Sequence, residues 1–86
     1  MANIDKLVTY AELKLGQFGV DYRENHEEDK MQEIEPRSYG VNGTSIDVLY
    51  DAQSYVIDLT KSGVRDVTEE DAHAVVARLK EFFNQK

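Results

Sequence analysis

Apolar residues recur with two periods along this chain. Ile4, Leu7, Val8, Ala11 and Leu15 fall three and four apart, with Asp5, Lys6, Glu12 and Lys14 off the stripe, and this spacing predicts a helix over residues 4–15. Asn3 offers an N-cap acceptor and Gly16 the free φ of a C′ residue, while Tyr10 and Leu13 widen the stripe enough for the helix to lie flat on a sheet. Phe18, Val20 and Tyr22 then alternate with Gly19 and Asp21, the period of a short edge strand. Residues 23–30 hold no apolar side chain and read as a loop. At the other end Ala72, Val75, Val76, Leu79, Phe82 and Phe83 return to helical spacing. Thr68 is placed to cap that helix by accepting from the Asp71 amide, and Glu69, Glu70 and Asp71 put three acids at the positive end of its dipole.

Between the helices, Arg37 to Lys61 alternates with a period of two and is broken twice by turn residues. Asn42-Gly43 is a strong hairpin signal, because a two-residue type I′ turn needs positive φ at both central positions. Pairing Val41 with Thr44 across it places Tyr39 opposite Ile46, Ser38 opposite Asp47 and Arg37 opposite Val48. A second turn at Asp51-Ala52-Gln53-Ser54 pairs Tyr50 with Tyr55, Val48 with Ile57 and Ile46 with Leu59. Both registers put Tyr39, Val41, Ile46, Val48, Tyr50, Tyr55, Ile57 and Leu59 on one face, and a one-residue slip in either would undo the agreement. Pro36 cannot donate a ladder bond, so the first of these strands starts after it or has a free edge there.

The expected fold is α+β, a two-layer sandwich. Its antiparallel three- to four-stranded meander carries an N-terminal and a C-terminal helix on one face, and residues 1–86 form a single small domain. The opposite face would present Ser38, Ser45, Asp47, Leu49, Val56, Asp58 and Thr60.

Charge sharpens this picture. Acids outnumber bases 17 to 10, a net −7 that repels phosphate backbones and anionic lipid, so direct nucleic-acid and membrane binding are not expected. Residues 21–35 hold seven acids (Asp21, Glu24, Glu27, Glu28, Asp29, Glu33, Glu35) against Arg23 and Lys30, which concentrates −5 of the −7 in one segment. The absence of cysteine removes thiolate chemistry and cysteine-based zinc sites. The first five residues have neither the basic nor the apolar region of a signal peptide, which makes the cytoplasm the expected compartment.

Candidate chemistry is sparse. His26 lies beside Glu27, Glu28 and Asp29 but without the ordered spacing of a calcium loop. His73 follows Glu69 and Glu70 by four and three residues, a spacing that suits a surface ion pair and lacks a third ligand. Gly40 to Ser45 has neither the length nor the lysine of a P-loop, and no nucleophile-elbow motif occurs. Asp47 and Asp58 fall directly opposite each other in the expected register, a pair of the kind that shares a proton in some active sites, here on an open face beside Leu49 and Val56. Tyr39, Tyr50 and Tyr55 have helical residues to pack beneath and read as core aromatics.

The order helix, three strands, helix resembles the double-stranded RNA-binding domain. That module needs lysines at the start of its second helix, where this chain has Glu69, Glu70 and Asp71, and this excludes the function. Size and acidity are similar to those of phage and plasmid inhibitors that imitate DNA, some anti-CRISPR proteins among them, although no residue motif carries that comparison. The expected function is a non-catalytic acidic interaction protein without cofactor or metal. It would bind a basic protein surface through Asp21, Glu24, Glu27, Glu28, Asp29, Glu33, Glu35, Asp47 and Asp58, as an inhibitor or regulator of a nucleic-acid-handling protein. The alternatives are a small homodimeric accessory protein and a metal-dependent accessory using His26 or His73.

Overall fold

A computed structural model describes residues 3–26, 36–50 and 53–84, with side chains except at 20–26 and 82–84. In chain order the elements are helix α1 (Ile4–His26), strands β1 (Ser38–Asn42), β2 (Ser45–Leu49) and β3 (Ser54–Asp58), a 3-10 turn (Leu59–Ser62) and helix α2 (Glu69–Asn84). The strands form one antiparallel sheet in the order β1-β2-β3. This is the expected α+β arrangement, with the meander three-stranded.

The expected fourth strand is helical. Residues 18–22 continue α1, which also takes in residues 23–26 of the expected loop. The spacing Leu15, Phe18, Tyr22 is three and then four, so the same residues that alternate as a strand also extend the helical stripe. Continuing a formed helix costs less than starting a new element, and the apolar stripe decides the matter. Gly16 is accordingly a helix-interior residue rather than a cap: positive φ among the glycines belongs to Gly43 and Gly63. The expected N-cap does form, with the Asn3 side chain accepting from the Lys6 amide at 3.2 Å.

Both hairpins are shifted by two residues from the sequence expectation. In the first, Asn42 pairs with Ser45, Val41 with Ile46, Gly40 with Asp47, Tyr39 with Val48 and Ser38 with Leu49. The turn residues are Gly43-Thr44. Gly43 has φ +63 while neither Asn42 nor Thr44 has positive φ, the signature of a type II′ turn with glycine first, not of the I′ turn that Asn-Gly suggests. In the second, Ile46 pairs with Ile57, Asp47 with Val56, Val48 with Tyr55 and Ser45 with Asp58. A shift of two preserves the face of every side chain, so the inner face is the expected one although each cross-strand partner is different.

That face and both helices close one core. Leu7, Val8 and Ala11 of α1, Ile46 and Val48 of β2, Ile57 of β3, Leu59, and Ala72, Val75, Val76 and Leu79 of α2 are buried together, with Tyr39, Val41, Tyr50 and Tyr55 packed at the margin. α2 lies against β1 and β2, and α1 lies against α2 and the 3-10 turn. Phe18 extends α1's packing to the sheet by stacking on Tyr50 and Tyr55, with ring centroids 5.0 and 4.6 Å apart. Arg78 of α2 donates to Asp5 of α1 at 3.1 Å on the solvent side of the helix pair. Among the described residues no helix is long and apolar enough to cross a membrane.

Candidate functional site

The outer face of the sheet forms a three-by-three grid, fixed by the register. Its rows across the strands are Ser38-Leu49-Ser54, Gly40-Asp47-Val56 and Asn42-Ser45-Asp58. Period-two alternation puts these residues outward because their neighbours are committed to the core. Leu49 is 44% and Val56 56% exposed, and both helices lie on the other side.

Asp47 occupies the centre. Gly40 on one side has no side chain and Val56 on the other is apolar, so the half-buried Asp47 has one apolar cross-strand neighbour and no side chain opposite it on β1. The two aspartates do not face each other: Asp47 opposes Val56 and Asp58 opposes Ser45, which makes them diagonal neighbours about 7–8 Å apart. The shared-proton geometry allowed by the sequence register therefore does not form.

Asp58 is engaged locally. It is the N-cap of the 3-10 turn, and its Oδ1 accepts from the Thr60 hydroxyl at 2.7 Å and the Thr60 amide at 3.0 Å. These two bonds, with Lys61 nearby, hold its carboxyl below the usual range. Of the pair, Asp47 makes no such local bond, and Asp58 shapes the turn that leads away from the sheet.

At α2, the Thr68 hydroxyl accepts from the Asp71 amide at 3.3 Å as the sequence predicts, and the Asp71 carboxylate reciprocates by accepting from the Thr68 amide at 2.9 Å. Asp71 is only 3% exposed, so its charge is spent inside this capping box. His73 lies 3.8 Å from Glu69, the expected i,i+4 surface pair. His26 is the last residue of α1, and no group of three metal-ligating side chains occurs among the described residues. Of the acidic segment, Asp21 and Glu24 lie on α1, correcting the assignment of Asp21 to an edge strand and of Glu24 to a loop, and Glu27, Glu28, Asp29, Glu33 and Glu35 lie outside the described residues.

The tyrosines are structural. Burial, reinforced by the neighbouring Tyr55, pushes the Tyr50 phenol up to about 12, and burial raises that of Tyr39 further. A depression beside the first turn of α1, lined by Asn3, Asp5, Lys6 and Thr9, is shallow and open to solvent.

The fold is thus a two-layer α+β domain with two helices on one face of an open three-stranded sheet. Its element order matches the resemblance noted above, but the first turn of α2 offers the exposed carboxylates of Glu69 and Glu70 where an RNA-binding module needs cations. Comparison with known proteins gave no matching family model, no matching curated protein and no matching solved structure.

Proposed function

We propose that this protein is a non-catalytic, acidic interaction protein that docks on a basic surface of another protein. The observation that supports this most directly is the outer sheet face: Asp47 stands at its centre, flanked by the exposed Leu49 and Val56, with both helices on the opposite side. Such a face combines a charge that selects a cation with apolar area that gains energy on burial. The net charge of −7, most of it in residues 21–35, adds long-range attraction for the same kind of partner. Proteins that handle nucleic acid carry basic surfaces built to hold phosphate, and occupying such a surface makes this chain an inhibitor or regulator of one.

Two sets of substitutions test the reading in affinity capture at low and moderate salt. Asp47→Asn with Leu49→Ser removes the central charge and one apolar neighbour while leaving the core intact. Glu24→Gln, Glu27→Gln, Glu28→Gln and Asp29→Asn neutralise the acidic segment. The expected result is a captured basic partner whose association slows as salt rises, with weaker binding by the first variant and slower association by the second. Capture indifferent to salt and to both variants overturns the proposal.

A further inference from the structure

The two edges of the sheet differ. β1 is entered through Pro36 and Arg37, residue types that discourage a second chain from pairing at an edge. β3, from Ser54 to Asp58, contains no proline, lysine or arginine, and no strand pairs with its outer side among the described residues.

The direction of β3's main-chain groups follows from two bonds. The Tyr50 amide donates to the Gln53 carbonyl at 2.8 Å and the Leu59 amide to the Thr44 carbonyl at 3.1 Å, both within the β2-β3 register. Bonded and non-bonded pairs alternate in an antiparallel ladder, so Val48-Tyr55 and Ile46-Ile57 are bonded pairs. Ser54, Val56 and Asp58 are not, and they aim their amides and carbonyls away from β2. The same three residues carry the outward side chains of β3.

We infer that β3 pairs with β3 of a second copy, antiparallel about a two-fold axis through Val56, joining two sheets into one of about twice the width. This register uses all three outward residues. Val56 exchanges both main-chain bonds with Val56 of the second copy, and the Asp58 amide reaches the Ser54 carbonyl of that copy. Side chains match as well: Val56, 56% exposed in the single chain, covers its own counterpart, and the Ser54 hydroxyl stands beside the Asp58 carboxylate of the second copy. A shift of two residues in one direction would set Asp58 against Val56, and a further shift would set Asp58 against itself. Pairing one patch with itself closes the assembly at two copies and consumes the unguarded edge.

α1 is compatible with this contact. It meets α2 on the flank where Asp5 holds Arg78, and helical period puts Lys6, Tyr10, Lys14 and Gln17 on the other flank. Over residues 6–17 that stripe contains no carboxylate. The contact differs in its salt response from docking on a basic partner: two chains of like charge associate more tightly as salt rises.

Light scattering across a dilution series tests the inference on the intact chain. The mass should rise from 9.8 kDa toward twice that value with concentration, and more steeply at higher salt. Val56→Pro removes an outward amide without touching the β2 ladder, and Val56→Lys sets two cations on the axis. Each should hold the mass at the monomer value while circular dichroism shows the fold retained. Because the chain has no cysteine, Val56→Cys gives a single thiol on the axis. There the expected Cα separation of about 5.5 Å falls in the disulfide range. It should oxidise to a covalent dimer at least about tenfold faster than a Thr9→Cys control, through the raised effective concentration of preassembled thiols. A constant monomer mass together with equal cross-linking rates for the two cysteine variants overturns the inference. So does a dimer that survives both Val56→Lys and Val56→Pro.

Discussion

Gly16→Ala separates the helix that the sequence predicts from the one the structure contains. If the helix ended at residue 15 and Gly16 were a left-handed C′ residue, a Cβ there would cost about 1–2 kcal/mol. In the structure Gly16 is an exposed interior residue of α1, outside the positive-φ set, and a Cβ built on it meets nothing within 4 Å. The substitution then exchanges the worst ordinary helix former for the best, a gain of about 0.8–1.0 kcal/mol with no packing term to oppose it. Much of that gain arises in the unfolded chain, which loses backbone freedom when glycine is replaced. For a domain of this size 1 kcal/mol is worth roughly 4–8 °C in Tm, and thermal and urea unfolding followed by circular dichroism resolve that shift easily. A midpoint lowered by the substitution would show that α1 breaks at Gly16, and the continuous helix and Phe18 stacking would fall with it.

Thr68→Ala should cost about 1 kcal/mol by urea unfolding, as should Asp71→Ala. The double variant should cost less than the sum, because each side chain caps the other's amide; strict additivity would refute the reciprocal box. Tyr50, with its folded pKa near 12 against about 10 when unfolded, holds its proton longer in the folded state. Its stabilising contribution is therefore complete below pH about 10 and is lost as pH rises toward 12. Tyrosinate absorbance should show a late titration step that Tyr50→Phe reduces. For Asp58 the sign is opposite: its depressed folded pKa gives stability that is present above the unfolded carboxylate range and lost as pH falls through the folded value. The stability difference between wild type and Asp58→Ala should shrink on acidification, and a difference that stays constant with pH would refute the capping role.

What was legible in the sequence was the side of each residue, and what was not was its partner. Inner and outer positions follow from alternation, and a shift of two residues leaves alternation intact, so Ile46, Val48, Ile57 and Leu59 reach the core in either register. The register itself rests on the turn, where Asn42-Gly43 and Gly43-Thr44 compete. Asn-Gly suits a I′ turn and Gly-X a II′ turn, and the sequence contains both overlapped by one glycine. The error in α1 has a similar origin. Phe18, Val20 and Tyr22 satisfy period two on their own, and only the chain before them, through Ala11 and Leu15, reveals that Phe18 and Tyr22 also continue a helix. Gly16 argued for a break, but an isolated glycine costs about 1 kcal/mol, less than the stacking and burial that Phe18 secures against Tyr50 and Tyr55.

The shift of register has its largest consequence on the outer face, where it separates two aspartates that the sequence places together. With Asp47 opposite Asp58, the face would have carried a repelling pair of similar residues. With Asp47 between Gly40 and Val56, and Asp58 bound to Thr60, the two take different tasks from the same strand alternation. Asp58 ends β3 by drawing the Thr60 amide into a 3-10 turn, and that turn carries Leu59 into the core. Asp47 caps no amide, and its exposed apolar neighbours add area to its charge. Binding through this face should therefore follow Asp47, while substitutions at Asp58 act chiefly through the turn. The same strand supplies both surfaces under discussion: its outward side chains belong to the open face, and its outward main-chain groups belong to the edge. Widening the sheet across β3 would place two copies of Asp47, Leu49 and Val56 on one continuous surface, so pairing at the edge enlarges the face rather than covering it.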